Sequence, residues 1–144
     1  MVNARIHEMA EGRIWHHLGA EIVSAENGKA VIRLPVKEAF FQLHGYVHGG
    51  ILATLADMAM AAAVNTTVSE HDYSVTAEMK INYLRPGKGV CLLAKGKVIK
   101  RGRTLSHCQA EVFDENDESI CFAVSTFYMF QKRKEDHGDS EDVQ

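Results

Sequence analysis

The run from His48 to Val64 constrains this chain more than any other stretch. After His48-Gly49-Gly50 it reads Ile51-Leu52-Ala53-Thr54-Leu55-Ala56-Asp57-Met58-Ala59-Met60-Ala61-Ala62-Ala63-Val64, with Asp57 as its only charged side chain. Ala, Leu and Met are strong helix formers and no proline interrupts them. A helix apolar all round has no solvent face, so it belongs inside the protein and other elements must cover it. A carboxylate there is costly unless it is paired, hydrogen-bonded or protonated. Two readings of Asp57 are open from the run alone: a structural acid bonded to nearby backbone or to Thr54 one turn earlier, and a functional group retained for chemistry.

The remainder of the chain must supply the cover. With 144 residues it is long enough for one domain with a real core, and a net charge of −3 argues against a basic nucleic-acid binder. Cys91, Cys108 and Cys121 are odd in number and widely spaced, matching neither a disulfide framework nor a CxxC metal site. With no signal-like N-terminus and no apolar run long enough to span a bilayer, a cytoplasmic protein is expected. Apolar spacing from Ala4 to Leu18 predicts a helical segment over residues 1–18 that Gly19 terminates. Asn27-Gly28 between the runs Glu21–Ala25 and Ala30–Leu34 predicts a hairpin, and residues 36–47 a loop or short turn of helix.

Beyond Asn65 the apolar period changes to two. Val75, Ala77, Met79, Ile81 and Tyr83 are expected on one strand face, with Thr76, Glu78, Lys80 and Asn82 on the other. Turns at Pro86–Gly89, Arg101–Arg103 and Asp114–Glu118 divide the chain beyond Tyr83 into three more strands, Val90–Lys100, Thr104–Phe113 and Ser119–Phe130. Four strands in series predict an antiparallel meander extended by the first hairpin. A curved sheet wrapped on one helix makes an α+β domain. Its other face or its edge then needs cover from further copies. The polar stretch 131–144 is expected to be a disordered tail.

His48-Gly49-Gly50 opens the buried helix, where the first N–H groups lack intrahelical partners and carry partial positive charge. Glycines at 49 and 50 let a carbonyl approach those donors, an arrangement suited to stabilising an oxyanion in acyl transfer. Gly49 and Asp57 are eight residues apart, roughly 12 Å along a helix axis. One helix cannot bring both to one carbonyl. Two antiparallel helices from two copies can, so if both groups serve one reaction the protein is a dimer with two composite sites.

The motif Gln42-Leu43-His44-Gly45-Tyr46-Val47-His48-Gly49-Gly50 followed by Asp57 resembles the signature of hotdog-fold acyl-CoA thioesterases, closest to the phenylacetate-pathway and 4-hydroxybenzoyl-CoA type. The stretch Glu78 to Pro86 and the turn Gly102-Arg103-Thr104 resemble the same family, so the likeness runs from about Gly19 to Phe130. The resemblance implies a hotdog domain over residues 19–130, forming dimers and often tetramers. It implies hydrolysis of an acyl-CoA to free acid and CoA, with CoA part of the substrate and no separate cofactor or metal. By position, the Gly49 N–H would polarise the thioester carbonyl and Asp57 of a partner subunit would act as nucleophile or general base. Gln42 and His48 would orient substrate or water, and Thr76 matches a position where some members place a hydroxyl near that water. Ala61 stands where some relatives carry a second hydroxyl.

Lys100, Arg101 and Arg103 are expected to meet the CoA phosphates, with Arg85 and Lys88 as further candidates; a solvated basic turn is the plainer reading. His44, His48 and Asp57 lack a completing ligand for a metal site. Two other functions stand beside the hydrolase. One is a hydratase or dehydratase of 3-hydroxyacyl thioesters, although the Pro-Gly-rich approach of those members is absent. The other is a non-catalytic acyl-CoA binding module.

Overall fold

The computed structural model describes residues 3–131. The expected tail therefore lies outside the described residues, apart from Gln131. Helices α1 (Ala4–Ala10) and α2 (Arg13–Leu18) come first, then strands β1 (Glu21–Glu26) and β2 (Lys29–Pro35). A short 3-10 turn (Glu38–Phe40) leads to α3 (Gly49–Asn65), followed by β3 (Tyr73–Tyr83), β4 (Cys91–Arg101), β5 (Leu105–Phe113) and β6 (Ser119–Phe130). The single N-terminal helix expected from spacing is two helices, because Gly12 in extended conformation ends the first and caps the second. Gly19 closes α2 in the left-handed region at φ 77°, and Asn27 and Gly28 both take positive φ in the β1–β2 turn, as their residue types require.

The six strands form one sheet in the order β1-β2-β4-β5-β6-β3, with every neighbouring pair antiparallel. This corrects the simple meander. Strands β4, β5 and β6 do run in series, but β3 pairs with β6 at the far edge instead of with β4. The chain leaves β2, passes through α3 across the sheet, and enters β3 on the other side. Strand β2 is thereby left free to pair with β4.

Register explains how the helix nests. Ala30 lies opposite Gly96, Gly96 opposite Ala110, and Ala110 opposite Ala123, so small residues form a row across four strands. Larger side chains flank that row on the same face, with Ile32, Leu34, Leu92, Val112 and Phe127 essentially inaccessible. Helix α3 lies over this surface and buries Leu52, Leu55, Ala56, Met58, Ala59, Met60, Ala62, Ala63 and Val64. Burying side chains such as Leu55 and Met60 contributes about 2 kcal/mol each.

A Cβ on Gly96 would fall 2.5 Å from the backbone carbonyl of Ala59 and 2.9 Å from the Met60 nitrogen. The helix backbone sits against β4 at the one residue without a side chain. The expected all-round burial of α3 needs correction too. Gly50 is exposed, and Ala53, Thr54, Asp57 and Ala61 are only half-buried. These residues recur at helical spacing and make one open strip along α3.

Gly96→Ala should force the helix off the sheet and destabilise the protein by about 3 kcal/mol. A thermal melt that matches wild type would contradict that account of the contact.

Candidate functional site

His48 is the N-cap of α3. Its Nδ1 accepts the Gly50 N–H at 2.9 Å, which places the ring proton on Nε2. The Gly50 donor is thereby occupied. The Gly49 N–H makes no hydrogen bond among the described residues and is the free donor at the positive end of the helix.

Beside Gly49 lies an open groove of about 400 Å³ that Gln42, Tyr46, Leu52, Tyr83, Leu84 and Arg85 also line. The Gln42 side-chain oxygen is turned toward its own loop, accepting the backbone N–H of His44 and, at 3.4 Å, that of Tyr46. Gly45, at φ 84°, closes this loop. The Gln42 amide nitrogen makes no hydrogen bond among the described residues and is free to donate.

Asp57 occupies a different groove, lined by Ala53, Thr54, Asp57, Thr76 and Met79. Thr54 does not bond the acid; its hydroxyl donates to the Gly50 carbonyl at 2.8 Å. The Thr76 hydroxyl donates to Asp57 Oδ1 at 2.8 Å instead. Strict alternation along β3 would have sent Thr76 to the opposite face from Met79. A β-bulge between Thr76 and Glu78 shifts the pairing with β6 by one residue, setting Thr76 opposite the inward Phe127 and Glu78 opposite Thr126. The face assignment made from period two thus holds for Met79, Ile81 and Tyr83 but reverses at the start of the strand. The bulge is what aims the hydroxyl at the carboxylate.

Burial pushes the Asp57 carboxyl above the usual carboxylate range, and the Thr76 hydrogen bond pulls it back in part. Partial desolvation makes the ionised group a stronger base. Cysteine chemistry is disfavoured by the same physics. Burial pushes the Cys108 thiol up to about 12 and Cys121 to about 11, so neither forms thiolate near neutral pH.

One chain keeps the Gly49 and Asp57 grooves apart, as the eight-residue spacing requires. Gly49 lies by the C-terminal end of β3 and Asp57 by its N-terminal half. The basic candidates do not gather at Gly49 either. Arg101 donates to Thr67 Oγ1 at 3.2 Å, just past the C-terminus of a 17-residue helix roughly 25 Å long. Lys100 and Arg103 are exposed at that same end. Arg85 is the cation beside the Gly49 groove, where it is paired with Glu118 at 3.1 Å. Tyr83, whose hydroxyl donates to the Gly49 carbonyl at 2.7 Å, was not singled out by sequence pattern. Its place at the end of an alternating apolar face made it look like one more core residue. Among the described residues no three His, Cys, Asp or Glu side chains come together as a metal site.

Asp57→Asn should stabilise the fold at neutral pH. A carboxyl whose folded pKa exceeds its unfolded pKa binds its proton more tightly when folded, so stability falls as pH rises through that interval. Removing the charge should raise Tm at pH 7 by about 1–3 °C, with the difference vanishing in acid. A lower Tm at pH 7 would contradict the assignment.

Similarity to known proteins places the chain in one family. The family model described as "Thioesterase superfamily" matches residues 44–121, which takes in His48, Gly49, Asp57, Thr76 and Tyr83. A 1,4-dihydroxy-2-naphthoyl-CoA hydrolase from Listeria monocytogenes is 30% identical over 81% of this chain and 95% of its own. The acyl-coenzyme A thioesterase PaaI of Escherichia coli is 32% identical over 72% of each chain. A solved thioesterase family protein from Silicibacter pomeroyi superposes with a TM-score of 0.85 at 27% identity, covering 89% of this chain and 97% of its own. The chain belongs to the thioesterase superfamily, has the hotdog fold, and is a thioester hydrolase.

Proposed function

We propose that the protein hydrolyses an acyl-CoA to a carboxylic acid and CoA at a composite site, with Gly49 of one subunit facing Asp57 of another. The observation that carries this reading is the unpartnered Gly49 N–H at the head of the same helix that bears a half-buried carboxylate. The thioester carbonyl oxygen accepts the Gly49 N–H, which stabilises the charge that develops there as the carbonyl carbon is attacked. Asp57 either attacks the carbonyl itself, expelling the CoA thiolate and leaving an anhydride for water to open, or takes a proton from the attacking water. Thr76 holds the carboxylate in place for both routes. Gln42, through its free amide nitrogen, and His48, through Nε2–H, orient the substrate.

The dimer reading is supported by β3. It is an 11-residue edge strand, mostly exposed, with one side of its backbone unpaired. Antiparallel pairing of two β3 edges about Met79 and Lys80 carries the Gly49 end of one copy to the Asp57 end of the other. The half-open strip from Gly50 to Ala61 borders the same edge. That two-fold also turns the Lys100–Arg103 end of each copy toward the other copy's Gly49, where those cations would meet the CoA phosphates. The names of the relatives favour a CoA thioester as substrate. The three cysteines are free, which suits a reducing cytoplasm. No helix among the described residues is long and apolar enough to cross a membrane.

Free thiol release from aromatic, short, medium and long acyl-CoAs should be measurable with wild type and fall at least about 100-fold with Asp57→Asn. No release from any member of the panel would end the proposal. The composite site is tested by complementation. Asp57→Asn and Gly49→Val should each be nearly inactive alone. Co-expressed, they should recover about a quarter of wild-type activity, since about half the dimers are mixed and each of these holds one intact site. Absence of recovery in mixed dimers of confirmed mass would mean that Gly49 and Asp57 do not meet across the interface.

A further inference from the structure

We infer that Tyr83 is a positioning residue for the oxyanion donor: its hydroxyl clamps the first turn of α3 so that the Gly49 N–H is aimed before substrate arrives. The inference rests on the proposed role of Gly49. Two successive glycines at a helix start leave that turn with the greatest backbone freedom of any pair of residues, yet catalysis requires its donor to be fixed. Three side chains restrict it. His48 Nδ1 holds the Gly50 N–H, the Thr54 hydroxyl holds the Gly50 carbonyl, and the Tyr83 hydroxyl holds the Gly49 carbonyl at 2.7 Å. His48 and Thr54 belong to α3 and its cap, so they move with it. Tyr83 belongs to β3 and is the one of the three that ties the turn to the sheet.

The ring contributes as well as the hydroxyl. A Cβ on Gly49 would fall 3.3 Å from Cζ and Oη of Tyr83, so the phenol lies against the glycine Cα and walls the groove there. The Gly49 carbonyl is in the peptide between residues 49 and 50, and rotation about Gly49 swings that peptide relative to the free N–H. Holding the carbonyl limits that rotation and so restricts the direction of the donor. Accepting the phenol also polarises the Gly50 N–H toward His48, so the two contacts reinforce each other. Burial, with a smaller push from Cys121, raises the phenol's pKa, so the group stays a donor across neutral pH.

Tyr83→Phe keeps the ring and removes only the hydroxyl. Its kcat for an acyl-CoA that wild type hydrolyses should fall about five- to tenfold, with KM within about twofold and Tm unchanged. Amide hydrogen exchange at Gly50, whose N–H is held by His48, should quicken in the same variant, a readout independent of activity. If wild type is inactive on every thioester, the proposed function fails, while the exchange measurement still reads the clamp. Unchanged kcat, unchanged exchange at Gly50, or a loss of Tm that accounts for the fall in rate would each overturn the inference.

Discussion

Everything at the site depends on where α3 sits, and that is decided by the contact between its backbone at Ala59 and the bare Cα of Gly96. The row Ala30–Gly96–Ala110–Ala123 makes a shallow trough across four strands, and the alanine-rich middle of α3 fills it. Small residues on both surfaces let helix and sheet approach closely, while flanking Leu, Ile, Val and Phe side chains close around the contact. Because interiors are packed as densely as organic crystals, such a seat admits little sliding. The helix thus delivers Gly49 and Asp57 to fixed places at the two ends of one edge strand.

The two ends are built on different physics. At the N-terminus, the free Gly49 N–H and the helix's partial positive charge favour a negatively charged oxygen. Further along the helix, a half-buried carboxylate is held at a cost to stability. Thr76 offsets part of that cost through one hydrogen bond, and it reaches Asp57 only because β3 carries an extra residue there. The bulge converts an outward position into an inward one.

A mostly exposed edge strand and a half-open strip on a helix otherwise buried are two signs of the same incompleteness. Each lies on the side of the molecule where the two grooves open. A second copy related by a two-fold axis along the middle of β3 would cover both and join unlike ends of the site. Covering the strip would desolvate Asp57 further and strengthen it as a base.

Much of this was legible in the residues. The buried helix, its start at His48-Gly49-Gly50, the Asn27-Gly28 hairpin and the bounds of β6 follow from local propensity, periodicity and turn chemistry, which act over a few residues. The eight-residue spacing of Gly49 and Asp57 follows from helix rise alone and already excludes a site within one helix. Strand order was not legible, since nothing local tells β3 to pair with β6 rather than β4. Nor was the bulge at Ala77, because period two assumes uninterrupted pairing, or the hydrogen bond from Tyr83 to a carbonyl 34 positions earlier. The sequence by itself determined which elements form and which groups can do chemistry. Only the tertiary structure decided which of those groups meet, because sheet register and the seating of α3 depend on contacts between residues far apart in the chain.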